Sequence, residues 1–96
     1  MELSVDVEAL AKVCGKYGVV EVALFGSMAS GSGRDDSDID LLYVLKPDAT
    51  LGFGIENLNH ELEVLFGRRV DLVARGALHP RMRERVLAQA KVLYAA

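Results

Sequence analysis

The chain has 96 residues, of which 51% are hydrophobic and 26% charged, a composition typical of one globular domain. Fourteen acidic and eleven basic residues give a net charge of −3, which argues against direct nucleic-acid binding by charge alone. No apolar run approaches the roughly 20 residues that span a bilayer, and the N-terminus is acidic where a secretory signal is basic, so we expect a cytoplasmic protein without membrane contact.

The first part of the chain predicts a helix, a strand and a loop. Apolar residues recur with helical spacing from Val7 to Tyr17, and the helix is expected to end near Gly15 or Gly18. Val19–Phe25 is dense in β-branched and apolar residues, which predicts a strand buried on both faces. Residues 27–37 are small and polar and predict a loop with one short helical turn.

The second part predicts two more strands and two more helices. Asp38–Leu45 is expected to be a strand, followed by a helix that Thr50 caps and Gly67 ends. Arg69–Ala74 predicts a third strand, and Pro80 is placed at the start of a final helix. The positions of that helix expected to face inward are Met82, Val86, Ala90 and Leu93.

This order of elements predicts an α/β (α+β) fold in which helices pack on a small mixed β-sheet, as a single domain over residues 1–96. A sheet of about three strands is small. We therefore expect a partner protein to cover one face, although a free monomer and a homodimer are left open.

Asp38 and Asp40 are separated by one residue on a predicted strand, so their side chains project from the same face. Two adjacent carboxylates repel unless protons or a cation neutralise them, and carboxylate oxygens suit Mg²⁺. The alternative is a solvated strand end. A third acid, Asp71, lies within the otherwise apolar third strand and reaches the same site if the two strands pair. Three carboxylates then fit a two-metal mechanism, whereas an ion pair of Asp71 with Arg69 or Arg75 is the alternative.

Gly26 and Ser27 directly follow the first strand, where backbone N–H groups and a hydroxyl can meet a polyphosphate. Ten residues separate this pair from Asp38-Ile39-Asp40. The spacing resembles the Gly-Ser-x10-Asp-x-Asp signature of the DNA polymerase β-like nucleotidyltransferase superfamily. The resemblance extends over nearly the whole chain and is nearest to the minimal nucleotidyltransferases, known as MNT proteins.

The resemblance implies a site in which Asp38, Asp40 and Asp71 are catalytic and hold two Mg²⁺ ions, while Gly26 and Ser27 bind the phosphates of ATP. The family often has arginine where this chain has Ser30, and Arg34 is the candidate to replace that charge in nucleotide binding.

The function implied is transfer of AMP from ATP to a hydroxyl, expected to be a tyrosine, of a partner toxin with a HEPN domain. The chain would then be an antitoxin and a protein adenylyltransferase, in a hetero-oligomer with the toxin. No separate acceptor domain is expected in this length, which favours a protein as acceptor. The alternatives are an antitoxin that neutralises the toxin by binding alone and, less favoured, a transferase of antibiotics or other small molecules.

Three further features are given structural interpretations. Cys14 is expected in the core, since one cysteine forms no intramolecular disulfide and no Cys/His cluster has zinc spacing. His60 and His79 are expected at the surface or as caps. The arginines of the last helix, at alternate positions, predict a solvated surface that could contact an acidic partner; they are Arg81, Arg83 and Arg85.

Overall fold

Four strands and three helices make up the described part of the chain, which in this computed structural model comprises residues 5–26, 29, 31 and 38–96. The helices are α1 (Val7–Tyr17), α2 (Gly54–Phe66) and α3 (Pro80–Gln89). The strands are β1 (Val19–Phe25), β2 (Ile39–Leu45), β3 (Val70–Ala74) and β4 (Lys91–Ala95), with a 3-10 turn at Arg75–Ala77 after β3. The described elements therefore confirm the expected α+β class.

The strands form one mixed sheet in the order β3-β2-β1-β4. β1 is antiparallel to both β2 and β4, whereas β2 and β3 run parallel. The parallel pair requires a crossover connection, and α2 provides it. The mixed sheet confirms the sequence-based fold class and places β2, with its acidic start, between β1 and β3.

α1 and α2 pack on one face of the sheet and form the core with it. Leu10 and Cys14 of α1 and Leu58 and Leu62 of α2 are at most 1% exposed. Burial of side chains of this size contributes about 1.5 to 3 kcal/mol each, so this layer supplies much of the folding free energy. The sheet residues they meet are Val22, Leu24, Ile39, Leu41 and Val70.

The predicted start of the chain is confirmed from α1 through β1. Asp6 caps α1 because its Oδ1 accepts the Ala9 N–H at 3.1 Å, and Gly18 ends the helix with a φ of +74°. In β1 three successive residues, Val22, Ala23 and Leu24, are at most 4% exposed. Since neighbouring residues point to opposite faces, β1 is buried on both faces as expected.

The start of α2 differs from the prediction, because Thr50 does not cap it. A turn intervenes in which the Gly54 N–H donates to the Leu51 carbonyl at 2.7 Å, and Gly52 has a φ of +51°. Leu51 packs against the core, which holds this turn in place. The helix consequently begins at Gly54, with Phe53 at the N-cap and no side-chain cap, and it ends at Gly67 as expected.

The final helix is shorter than predicted and is followed by a strand that was missed. α3 starts at Pro80 as expected but stops at Gln89, because Ala90 takes an extended conformation with ψ of 141°. The β-branched and aromatic residues after Ala90 suit a strand, and β4 pairs with the free edge of β1. No residue of α3 is fully buried, and Met82, which was expected to face inward, is 57% exposed. Val86 is half-buried, as expected in direction, whereas Ala90 and Leu93 lie beyond the helix, and Leu93 packs against the core from β4.

In the described residues no helix is both long and apolar enough to cross a membrane. The cytoplasmic location stays a prediction.

Candidate active site

Two carboxylates stand side by side where β2 and β3 begin. Asp40 and Asp71 are direct partners in the parallel register, so their side chains project from the same face of the sheet. Asp38 immediately precedes β2 and lies two residues before Asp40, so the alternation of a strand directs both side chains to the same face. This face lies opposite α1 and α2, because Ile39 and Leu41 point into the core. The sheet therefore brings together the three acids as the sequence predicted.

The three acids interact electrostatically at Asp40. Its side chain is half-buried, and the pKa of its carboxyl is raised above the ordinary value, first by desolvation and then by the negative charges of Asp71 and Asp38. Ionising Asp40 beside these two charges is therefore unfavourable without a compensating charge. A cation or a protonated group at this position would relieve the repulsion.

Gly26 closes the site on the β1 side, and its backbone lies against Asp40. A Cβ built on Gly26 would collide with Oδ2 of Asp40 and come within 3.1 Å of its Cγ. Gly26 also has a φ of +73°, which side-chain-bearing residues adopt at a cost. The glycine is thus required both by the turn that ends β1 and by the close approach of the carboxylate.

Asp71 is exposed to solvent, although its strand is otherwise apolar. β3 is an edge strand in the described sheet, and an edge position on the face opposite α1 and α2 leaves the carboxylate in solvent. The alternative ion pair with Arg75 is also not formed, because Arg75 Nη1 lies 3.1 Å from Glu21 Oε2. Asp71 is therefore available to a ligand at the open edge of the sheet.

The carboxylate donors of this site suit a hard divalent cation. Within the described part of the chain, no group of three or more His, Cys, Asp or Glu side chains is arranged to hold an ion. The repulsion at Asp40 nevertheless favours a cation, and the oxygens of Asp38, Asp40 and Asp71 are the ligands that Mg²⁺ prefers.

The remaining predicted site residues, Ser27 and Arg34, lie outside the described residues, as do Ser30 and the predicted helical turn in the loop. Their roles in phosphate binding stay predictions. Of the two histidines, His60 is exposed on α2, and His79 caps α3 by accepting the Arg81 N–H at Nδ1, 3.2 Å away. Both confirm the structural interpretation given to them.

One residue near the site was missed by the sequence reasoning. Glu63 of α2 accepts the Val70 N–H at Oε2, 3.0 Å away, and so fixes the start of β3 immediately before Asp71. The only signal in the sequence is that Glu63 and Val70 flank the helix end at Gly67, which does not specify a contact. The contact between Glu63 and Val70 depends on the position of α2 against the sheet in the folded chain.

Comparison with known proteins places this site in context. The profile of the family described as "Polymerase beta, Nucleotidyltransferase" matches residues 8–96. The chain is 38% identical over 74 residues to "Protein adenylyltransferase MntA" from Thermococcus cleftensis, covering 77% of this chain and 74% of the relative.

Two solved structures are also similar to this chain. One that is provisionally described as a minimal nucleotidyltransferase is 44% identical, with a TM-score of 0.72 over 88% of this chain and 85% of that one. A second is a tri-AMPylated Shewanella oneidensis HEPN toxin in complex with its MNT antitoxin, matched at 21% identity, a TM-score of 0.65, and 94% and 70% coverage. At this identity the second match indicates a shared fold.

Proposed function

The chain belongs to the polymerase beta nucleotidyltransferase family, and from this premise we propose that it transfers AMP from ATP to a hydroxyl of a partner HEPN toxin and thereby acts as an antitoxin. The observation that carries the proposal is the register of Asp40 against Asp71, with Asp38 one alternation away. The name of the Thermococcus relative and the AMPylated toxin bound to an MNT antitoxin support the choice of reaction and partner.

The chemistry assigned to the site is a single group transfer. The acceptor oxygen forms a bond to the α-phosphorus of ATP, the bond to the departing pyrophosphate breaks with its electron pair, and the hydroxyl proton passes by way of the Asp71 carboxylate to water. Bound Mg²⁺ would stabilise the negative charge that develops on the phosphates. Asp38 and Asp40 would hold it, with Asp71 as the ligand nearest the open edge.

We propose different roles for the two sides of the site, in keeping with their positions in the sheet. Gly26 lies on the β1 side, where the absence of a side chain makes room for the Asp40 carboxylate, and its backbone N–H is proposed to help bind the phosphates. Asp71 lies on the outermost strand and is exposed, so the acceptor hydroxyl would arrive from that side. Ser27 and Arg34 are proposed to bind the phosphates of the nucleotide.

The acceptor is proposed to be a tyrosine of the toxin, and residues 1–96 to act as one minimal domain. The acceptor must then be carried by the partner, which makes stable association part of the function. A hetero-oligomer with the toxin is the proposed assembly.

The proposed function is tested by measuring the intact mass of the partner protein after incubation with ATP. The chain is co-expressed with the protein encoded beside it, and the purified complex is incubated with ATP and Mg²⁺ before intact-mass analysis. We expect the partner to gain one or more AMP units, and the gain to be lost with Asp38→Asn. Asp48→Asn, which changes an exposed acid in the turn after β2, is the matched control and should keep activity.

The alternative is neutralisation by binding alone, and Ser30 favours it because the family often has arginine there. The same variants separate the two functions in cells. If protection from the toxin survives Asp38→Asn and Asp40→Asn together, while the partner's mass is unchanged in the wild type, the chain protects by binding alone.

A further inference from the structure

A groove of about 370 Å³ runs between α2 and the outer edge of β3. Its floor is the β3 segment Val70–Leu72, which includes Asp71 of the candidate active site. Its helical wall is formed by Ile55, Glu56, Asn59, His60 and Glu63. The groove therefore follows the sheet edge past Asp71, the residue at which the acceptor is proposed to arrive.

The outer edge of β3 offers backbone groups for pairing. Among the described strands, β3 pairs with β2 alone. The Ile39 N–H donates to the Arg69 carbonyl at 2.9 Å, so the backbone groups of Arg69 and Asp71 face β2 and those of Val70 and Leu72 face outward. Glu63 accepts the Val70 N–H. The N–H and C=O of Leu72 thus face the side on which an added strand would lie.

The charge of the groove selects the kind of segment that fits. Two carboxylates of α2 line it, those of Glu56 and Glu63, together with the imidazole of His60, and no lysine or arginine does so among the described residues. Asp71 adds a third acid at the same edge, with its side chain on the opposite face of the sheet. Ile55, Val70 and Leu72 supply apolar surface between them. An extended chain that carries both cationic and apolar side chains complements this surface, whereas an acidic chain is repelled.

An exposed aromatic residue extends the surface. Phe53 is 99% exposed and stands at the N-cap of α2, two residues before Ile55 of the groove wall. A fully exposed phenylalanine contributes nothing to the core of this chain, but a ring at such a position is a frequent anchor in protein interfaces. The apolar lining and Phe53 are therefore consistent with a protein occupant.

We propose that this groove binds an extended, basic segment of the acceptor protein, which adds as a strand to the outer edge of β3 and so delivers its hydroxyl to Asp71. This rests on the proposed function for the reaction, but the docking mode does not require it. Lysine or arginine residues flanking the acceptor would meet Glu56 and Glu63, and backbone pairing to Leu72 would fix the register of the segment.

Two nine-residue peptides test the docking mode without ATP. In one, lysine and valine alternate around a central tyrosine, and in the other each lysine is replaced by glutamate. Each is titrated to millimolar concentration into the isotope-labelled full chain, and backbone amide shifts and hydrogen exchange are recorded. We expect the basic peptide to shift and protect the Leu72 amide, and the acidic peptide to leave it unchanged.

Charge variants test the wall of the groove. Glu56→Lys should weaken binding of the basic peptide by about three- to tenfold, as expected for reversing one exposed charge. Glu8→Lys is the matched control, since Glu8 occupies the first turn of α1 as Glu56 occupies that of α2, and it should leave binding unchanged. Equal affinity for the two peptides, or no response at β3, would overturn the proposal.

A transfer assay separates this inference from the proposed function. If neither peptide is modified but the basic peptide still binds at β3, the docking mode holds and the assigned reaction fails. If the partner protein is modified and Glu56→Lys leaves its KM unchanged, the reaction holds and the groove is not its route. If the proposed reaction and the docking mode are both correct, Glu56→Lys should raise the KM for the acceptor and leave the KM for ATP unchanged.

Discussion

The backbone of Gly26 and the carboxylate of Asp40 lie in direct contact across the β1 and β2 pair, with no room for a side chain on the glycine. The contact joins the turn that ends β1 to the acid that sits between the other two site carboxylates. A change at Gly26 should therefore act on the site through Asp40.

Gly26→Ala is expected to destabilise the chain and to abolish AMP transfer. Alanine pays about 1 to 2 kcal/mol for the positive φ, and its Cβ also displaces the Asp40 carboxylate. Gly67→Ala is the matched control, because Gly67 has a φ of +69° but a Cβ at that position would meet nothing within 4 Å among the described residues. We expect denaturant unfolding to give a larger loss for Gly26→Ala; equal losses and equal activities would contradict the importance of the contact.

Asp40→Asn should stabilise the fold near neutral pH while it abolishes transfer. The pKa of Asp40 is raised, so the folded state holds its proton to higher pH than the unfolded state does. The resulting penalty develops as pH rises from the unfolded pKa through the raised folded pKa, so it is larger at pH 7 than at pH 3. Removing one of two directly opposed like charges is worth about 0.2 to 1 kcal/mol.

The measurement is urea unfolding of both proteins at pH 3 and pH 7, with Asp48→Asn as the control. The increase in unfolding free energy caused by Asp40→Asn should be present at pH 7. It should shrink at pH 3, where the wild-type carboxyl is mostly protonated. Mg²⁺ should raise the Tm of the wild type and not that of Asp40→Asn. A gain that is independent of pH would indicate that charge repulsion is not its cause.

The acidic site was predictable because its geometry depends on only two neighbouring strands. The end of α3 and the strand after it were not predictable in this way. Alternation on one strand places Asp38 beside Asp40, and the hydrophobic pattern of β3 brings Asp71 to the same edge. The missed strand β4 depends on a vacant edge of β1, which the residues Lys91–Ala95 do not reveal by themselves. Thr50 failed as a cap because the packing of Leu51 moved the helix start to Gly54.

Cys14 should report on global unfolding. Its side chain is fully buried, and desolvation raises the pKa of its thiol from 9.0 to about 11. At pH 8 both the lower thiolate fraction and burial slow alkylation, by at least about a hundredfold relative to the unfolded chain. Iodoacetamide labelling followed by mass spectrometry checks this with one reactive site, since the chain has a single cysteine.

The same thiol predicts a fall in stability at high pH. Between about pH 9 and 11 the unfolded thiol ionises while the folded one stays protonated, so the unfolded state is favoured as pH rises. Cys14→Ala removes this contribution although it leaves a small cavity. The difference in unfolding free energy between wild type and Cys14→Ala should therefore narrow across this range, and a constant difference would show that the thiol does not contribute.

Tyr17 and Glu61 should couple α1 to α2 in a pH-dependent manner. The Tyr17 hydroxyl and Lys16 Nζ both donate to the Glu61 carboxylate, with Nζ 3.1 Å from Oε1. These hydrogen bonds lower the pKa of Glu61, so their stabilisation is present above its unfolded pKa and is lost as pH falls through the lower folded value. Tyr17→Phe should thus lower the Tm at pH 7 by more than at pH 3.

Tyr94→Phe, at a half-buried tyrosine on β4, is the control and should show no such pH dependence. Equal losses of Tm for Tyr17→Phe at both pH values would mean that the ionised Glu61 is not the partner that matters, and that Tyr17 stabilises the helix pair by packing alone.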